Sequence, residues 1–122
     1  MKIQRPSYEI WLQKPGELGI YQQIERAGRV CYKSENNTTV NSAKPFVDRM
    51  VQSEHFAMLE HGTVYLACKH GELPLYTHNK FSRLNTIDGK DYITTNLRVL
   101  AENKAMDDLK YLSNYEEGKH EL

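Results

Sequence analysis

The chain has 122 residues, 39% hydrophobic and 26% charged, which is the size of one domain spanning residues 1–122 rather than two. Sixteen basic residues balance sixteen acidic ones, and the signs are mixed along the chain, so the basic stripe of a nucleic-acid binder is absent. No apolar run approaches the roughly 20 residues that cross a bilayer, and the opening MKIQRPSYEI has no apolar stretch behind its charges. Neither a membrane partner nor a secretory leader is therefore expected, and a cytoplasmic protein is the reading.

Tyr8, Ile10 and Leu12 alternate in Ser7–Leu12 and predict an edge strand. Pro15, Gly16 and Gly19 predict a turn over Gln13–Gly19. Ile20, Ile24, Ala27 and Cys31 then recur at i, i+4, i+7 and i+11, which predicts a helix over Ile20–Lys33 with those residues inward. Gly28 lies inside it and lowers helix propensity by about 1 kcal/mol against alanine, so either close packing there or an early end to the helix is expected. Ser34–Val40 is polar and reads as a loop. Ser42 is a candidate N-cap for a helix over Ala43–Ser53, where Pro45 falls in the first turn and loses no hydrogen bond. Phe46, Val47, Met50 and Val51 form its apolar stripe.

Gly62 precedes Thr63–Lys69, where Val64, Leu66 and Cys68 alternate as a half-buried strand does. The HGELP break follows, and Leu75–Leu84 reads as weakly strand-like. Asp88-Gly89 is a hairpin dipeptide, followed by a β-branched strand end at Tyr92–Thr95. Leu97, Leu100 and Ala101 begin a helix capped by Thr95 or Asn96. Asn103 is expected to end it in the left-handed conformation. A short second helix over Ala105–Leu112 turns Met106, Leu109 and Leu112 inward. There is no repeat and no linker. Mixed elements without regular βαβ alternation predict an α+β fold, an antiparallel sheet with packed helices, those over Ile20–Lys33 and Ala43–Ser53 lying against one sheet face. The predicted core is Ile10, Leu12, Ile24, Ala27, Phe46, Val47, Met50, Val51, Leu59, Val64, Leu66, Leu97 and Leu100. Cys31 and Cys68 are too few for a disulfide framework and read as buried thiols.

One segment carries chemistry-bearing residues at high density: His55, Glu60 and His61 in HFAMLEHG. Its spacing departs from the zinc-protease pattern, which puts histidines at i and i+4 around a glutamate. On a helix His55 and His61 would not share a face, so no metal is expected. On residues alone, Glu60 and His61 read as a hydrogen-bonded pair where a turn enters a strand. His70 and His78 read as solvated loop residues. Arg26, Arg29, Lys33, Arg49, Arg83 and Arg98 are scattered, and no glycine-rich phosphate loop is present.

Two stretches carry a family resemblance. Tyr21–Ser34, YQQIERAGRVCYKS, resembles the helix with the a-x-R-x-C-Y-x-S pattern of the flavin-dependent thymidylate synthases, the ThyX family. Phe46–Leu66, FVDRMVQSEHFAMLEHGTVYL, is similar to the family's next element, in which a helix runs into G-H-x-[ST]-x-x-E-H and then a core strand. Tyr92–Leu112 is similar to an insertion in one bacterial branch. The resemblance covers nearly all of this chain but only the N-terminal half of a family member.

The resemblance implies a partial ThyX-like fold, a homo-oligomer with active sites shared between subunits, and the conversion of dUMP to dTMP. Methylenetetrahydrofolate is then the carbon donor, FAD the hydride carrier and NADPH the reductant. It places His55 on the flavin and folate side of the site as catalytic and FAD-binding residue. Ala57 takes the FAD-contacting [ST] position, and Glu60 and His61 stand at the mouth of the core strand. Three departures accompany it: Glu54 replaces the glycine before the histidine, Ala57 replaces a hydroxyl residue, and the R-H-R-x7-S signature occurs nowhere in the 122 residues. A phosphate needs fixed cations or N–H donors, so a truncated relative is expected that holds FAD weakly and does not make dTMP alone. The alternatives are half of a site completed by another chain and a non-catalytic interaction or structural module.

Overall fold

The computed structural model describes residues 11–113. Its elements are α1 (Gly16–Cys31), α2 (Ala43–Gln52), a 3-10 helix Phe56–His61, β1 (Thr63–Lys69), a 3-10 helix Pro74–Thr77, β2 (Arg83–Ile87), β3 (Lys90–Asn96), α3 (Leu97–Glu102) and a 3-10 helix Met106–Tyr111, after a short 3-10 turn at Glu35–Asn37. The fold is α+β, with one antiparallel sheet in the order β1-β3-β2.

The sheet follows from its turn and its alternation. β2 and β3 pair up to Ile87↔Lys90, and Asp88 and Gly89 close the hairpin with φ of +52° and +77°. Two positive φ values in a two-residue loop match the twist of the flanking strands. β1 pairs with β3 along its whole length, from Thr63↔Asn96 to Lys69↔Lys90. Val64, Leu66 and Cys68 of β1 and Ile93 of β3 are buried, and burial raises the Cys68 thiol pKa. Leu112 bridges Leu66 on the far edge of β1.

α1 packs against α2 and against the 3-10 helix Phe56–His61, which in turn meets α3. The two long helices are thus joined to the sheet chiefly through that 3-10 segment, rather than lying flat on one sheet face as the sequence suggests. Ile20, Ile24, Phe46, Val47, Leu59, Val64, Leu66, Ile93, Leu97 and Leu100 make one continuous core. Met50 belongs to it, and Val51 packs at its margin.

The three helices end alike. Lys33, Glu54 and Lys104 have φ of +54°, +58° and +54°. The residue after each donates its N–H back into the last helical turn: Ser34 to Arg29 at 2.8 Å, His55 to Met50 at 2.9 Å and Ala105 to Leu100 at 2.7 Å. That is the Schellman way of satisfying a helix's last carbonyls. At the other end of α3, the Asn96 side chain accepts from the Val99 N–H, so of the two predicted caps asparagine is the one used.

Several expectations change. Residues 7–10 of the predicted first strand, with Ile10, lie outside the described residues. Trp11 and Leu12 are irregular, and Leu12 is 85% exposed, so it is no core residue. α1 begins at Gly16 and ends at Cys31, so most of the predicted turn is helix; Pro15 sits just before its first residue, where a missing N–H does no harm. Ala27 is half-buried and Cys31 is exposed, because the inward face of α1 runs through Ile20, Tyr21, Ile24, Glu25 and Gly28. Leu75 and Tyr76 belong to a 3-10 helix, and the strand begins only at Arg83. Asn103 has φ of −96°; the left-handed residue is Lys104. The Ser42 hydroxyl bonds to Thr39 N and O at 2.8 and 2.9 Å instead of capping α2. Ala105–Leu112 forms a 3-10 rather than an α-helix, with Met106, Leu109 and Leu112 partly buried against the core.

Candidate functional site

The candidate segment occupies the corner between α2 and β1. α2 stops at Gln52, Glu54 turns the backbone through a positive φ, and His55 sits just before the 3-10 helix that carries Ala57, Glu60 and His61. Leu59 is the anchor of this short helix, fully buried among α1, α2 and α3 residues. Around that anchor His55, Ala57, Glu60 and His61 are all exposed. Neither the cavity between Gln13, Ile20 and Tyr65 nor the groove beside Gln22 and Arg26 is lined by any of them.

Gly62 ties this corner to α1. A Cβ on Gly62 would stand 2.6 Å from Ile24 Cδ1 and 2.8 Å from Ile20 Cγ2, so the chain enters β1 pressed against the helix. The lead-in to α1 is held to the same place: the Gln13 amide donates to Thr63 O at 2.8 Å and accepts from Thr63 N at 2.9 Å. The first half of α1 and the entry to β1 are therefore packed together.

Glu60 finds its partner on α3 rather than in His61. Arg98 donates to Glu60 at 2.6 Å and to Glu102 at 2.7 Å, an exposed network of the kind that contributes little stability. Arg29 is not a scattered surface cation. It is buried, bonded to Glu25 at 2.9 Å and stacked over the Phe46 ring at 4.8 Å. The i, i+4 spacing of Glu25 and Arg29 was the available signal for that pair. Arg26 lies over the Trp11 ring at 4.1 Å.

A second polar cluster escaped the sequence reading. Asp91 of β3 is buried, 2% exposed. It accepts from Thr86 Oγ1 at 2.6 Å, from the Gly71 N–H at 2.9 Å and from His70 Nδ1 at 2.8 Å. Burial pushes its carboxyl pKa upward, but the three donors outweigh this and hold it at about 2. His70 is exposed, as expected of a loop residue, yet it is bonded rather than simply solvated. Nearby, the buried Tyr76 hydroxyl donates to Asp108 at 2.8 Å; burial and that carboxylate raise the phenol's pKa.

Among the described residues, no three or more histidine, cysteine, aspartate or glutamate side chains converge to hold a metal ion, and no helix is long and apolar enough to cross a membrane. Comparison of the chain with protein-family models, curated proteins and solved structures finds no match.

Proposed function

We propose that this chain is a flavin-dependent thymidylate synthase-like protein whose candidate site is incomplete by itself. The observation that carries this reading is the packing of α1 against the 3-10 helix Phe56–His61. It sets α1, whose end carries the R-x-C-Y-x-S stretch, against the 3-10 helix of the H-x-A-x-x-E-H stretch, with Ile20 and Ile24 pressed onto Gly62. Neither stretch alone would carry it. The positive φ of Glu54 also fits, because a glycine, the family's residue there, adopts that conformation without strain.

His55 would then face flavin and folate, with Glu60 and His61 behind it at the start of β1. FAD, when bound, supplies hydride chemistry that no residue here provides. The imidazole of His55 can hold or move a proton, worth about 10²–10⁴-fold in a positioned acid or base. The residues present fit the group only in part. Ala57 offers no hydroxyl, and Arg29 is already engaged by Glu25 inside the fold. A dinucleotide and a nucleotide phosphate need several fixed cations or N–H donors, and His55 does not replace them.

The exposure of His55, Ala57, Glu60 and His61 favours a site completed by a second polypeptide that bears an Arg-His-Arg segment. Purified alone, the chain is expected to show no stoichiometric flavin absorbance and no dUMP-stimulated NADPH oxidation. Expressed with such a polypeptide, it is expected to give a yellow complex whose dUMP-stimulated oxidation is lost in His55→Ala. A complex that retains no flavin would overturn the reading; full activity of the chain alone would overturn the claim of incompleteness.

A further inference from the structure

The three strands sort their charges by face. Val64, Leu66 and Cys68 of β1 and Asp91, Ile93 and Thr95 of β3 are buried, and Leu84 of β2 packs against the same core. Side chains alternate across a sheet, so Tyr65 and Lys69 of β1, Arg83 of β2, and Lys90 and Tyr92 of β3 stand on the opposite face. Every lysine and arginine that the strands carry is on that outer face, and Asp91, their one carboxylate, is on the other. Charges that are mixed along the chain are thereby separated in the sheet.

The register adds a second observation. Lys69 lies directly opposite Lys90, and like charges so placed destabilise a strand pair. Both are exposed, and neither they nor Arg83 forms an ion pair among the described residues. Such a pair weakens the fold by itself and is relieved when an anion lies across it. Arg83 shares a row with Tyr65 through Thr94, about 13 Å along the strands from the lysines. Tyr65 and Tyr92 are diagonal neighbours on this face, about 7–8 Å apart, and both are half-buried. Phe81, 63% exposed, comes two residues before Arg83 at the entry to β2.

We propose that this face binds single-stranded nucleic acid, with two bases stacked on Tyr65 and Tyr92 and phosphates held by Arg83 and by the Lys69–Lys90 pair. An aromatic ring on a sheet meets the π-face of a base, which a single strand leaves open and a duplex does not. Cations to either side of the rings neutralise the backbone. An acidic peptide would satisfy the lysines but make no use of the rings. None of the residues at the His55 corner takes part, so this binding does not depend on flavin.

The test is fluorescence anisotropy of a labelled oligothymidine of about 12 nucleotides, titrated with the full chain at about 50 mM salt. A micromolar dissociation constant is expected, weakening with salt at a log–log slope of about −2, the value for three phosphates neutralised on a single strand. Lys69→Gln with Lys90→Gln is expected to weaken binding by about tenfold or more and to reduce the slope to about −0.7. The same double variant should raise the urea midpoint, because the like-charge contact is gone. Tyr92→Leu is expected to weaken binding by about tenfold with the slope unchanged, since stacking neutralises no phosphate. Absence of binding at roughly 100 μM protein, the weak end of non-specific affinity, would overturn the proposal. So would variants of either kind that bind as tightly as wild type, or a duplex of the same length or a polyglutamate that binds as tightly as the single strand.

Discussion

Gly28 of α1 lies so close to Phe46 of α2 that a Cβ built on it would stand 2.6 Å from Phe46 Cζ and 2.7 Å from Cε1. The absence of a side chain at one position lets an aromatic ring lie on the helix backbone. The same ring carries the Arg29 guanidinium on its face, and Arg29 is held by Glu25. The contact between α1 and α2 is therefore a ring pressed onto a glycine and closed by a buried ion pair.

Gly28→Ala should accordingly destabilise the protein. Alanine favours an isolated helix by about 1 kcal/mol, but forcing a methyl group into a packed contact opposes this with about 1–3 kcal/mol. A net loss of about 1 kcal/mol is expected in urea unfolding. Combined with Phe46→Leu, which withdraws the ring, the loss from Gly28→Ala should shrink or change sign. Strict additivity of the two substitutions would refute the account of the contact.

The Asp91 cluster predicts an acid-side pH dependence. The carboxyl is held at about 2 in the folded protein against 3.8 for an unperturbed group. A group depressed on folding contributes stability that is present in full above its unfolded pKa and is lost as pH falls through its folded one. The wild type should therefore lose part of its unfolding free energy between about pH 4 and pH 2. Asp91→Asn should remove that part of the slope and reduce stability at neutral pH by about 2 kcal/mol, since it leaves buried donors poorly matched. Parallel stability–pH curves for the two proteins would count against this.

Glu54 offers a stabilising substitution at the candidate site itself. Its φ of +58° is a conformation that disfavours residues with a Cβ by roughly 1–2 kcal/mol. Glu54→Gly relieves that strain, while the greater freedom of glycine in the unfolded chain offsets part of the gain. The expected result is a rise of about 0.5–1 kcal/mol in unfolding free energy, measured at neutral pH. Lys104→Gly, at the same turn after α3, should behave alike. A loss of stability at both positions would show that their side chains hold interactions that outweigh the backbone strain.

Much of this molecule was decided locally and is legible residue by residue. β1 is delimited by its alternation, the β2–β3 turn by Asp88-Gly89, the start of α3 by Asn96, and the tight approach at Gly28 by a glycine inside an apolar helical stripe. Each of these depends on backbone preference or side-chain period within a few residues, and such preferences are carried by the sequence itself. The segment from His55 to His61 also stood out from residue types alone.

What only the tertiary structure decided depends on partners distant in the chain. Asp91 reads as an ordinary strand-end aspartate until Gly71, His70 and Thr86 are brought around it, and a carboxylate with three donors is stable in the interior where a lone one is not. Glu60 turns to Arg98, a residue of α3, instead of its neighbour His61. Leu12 falls outside the core although its pattern is that of a strand, because what surrounds a side chain, and not its own period, decides whether water is removed from it. The packing of Ile20 and Ile24 onto Gly62 is likewise a product of how α1 crosses the start of β1.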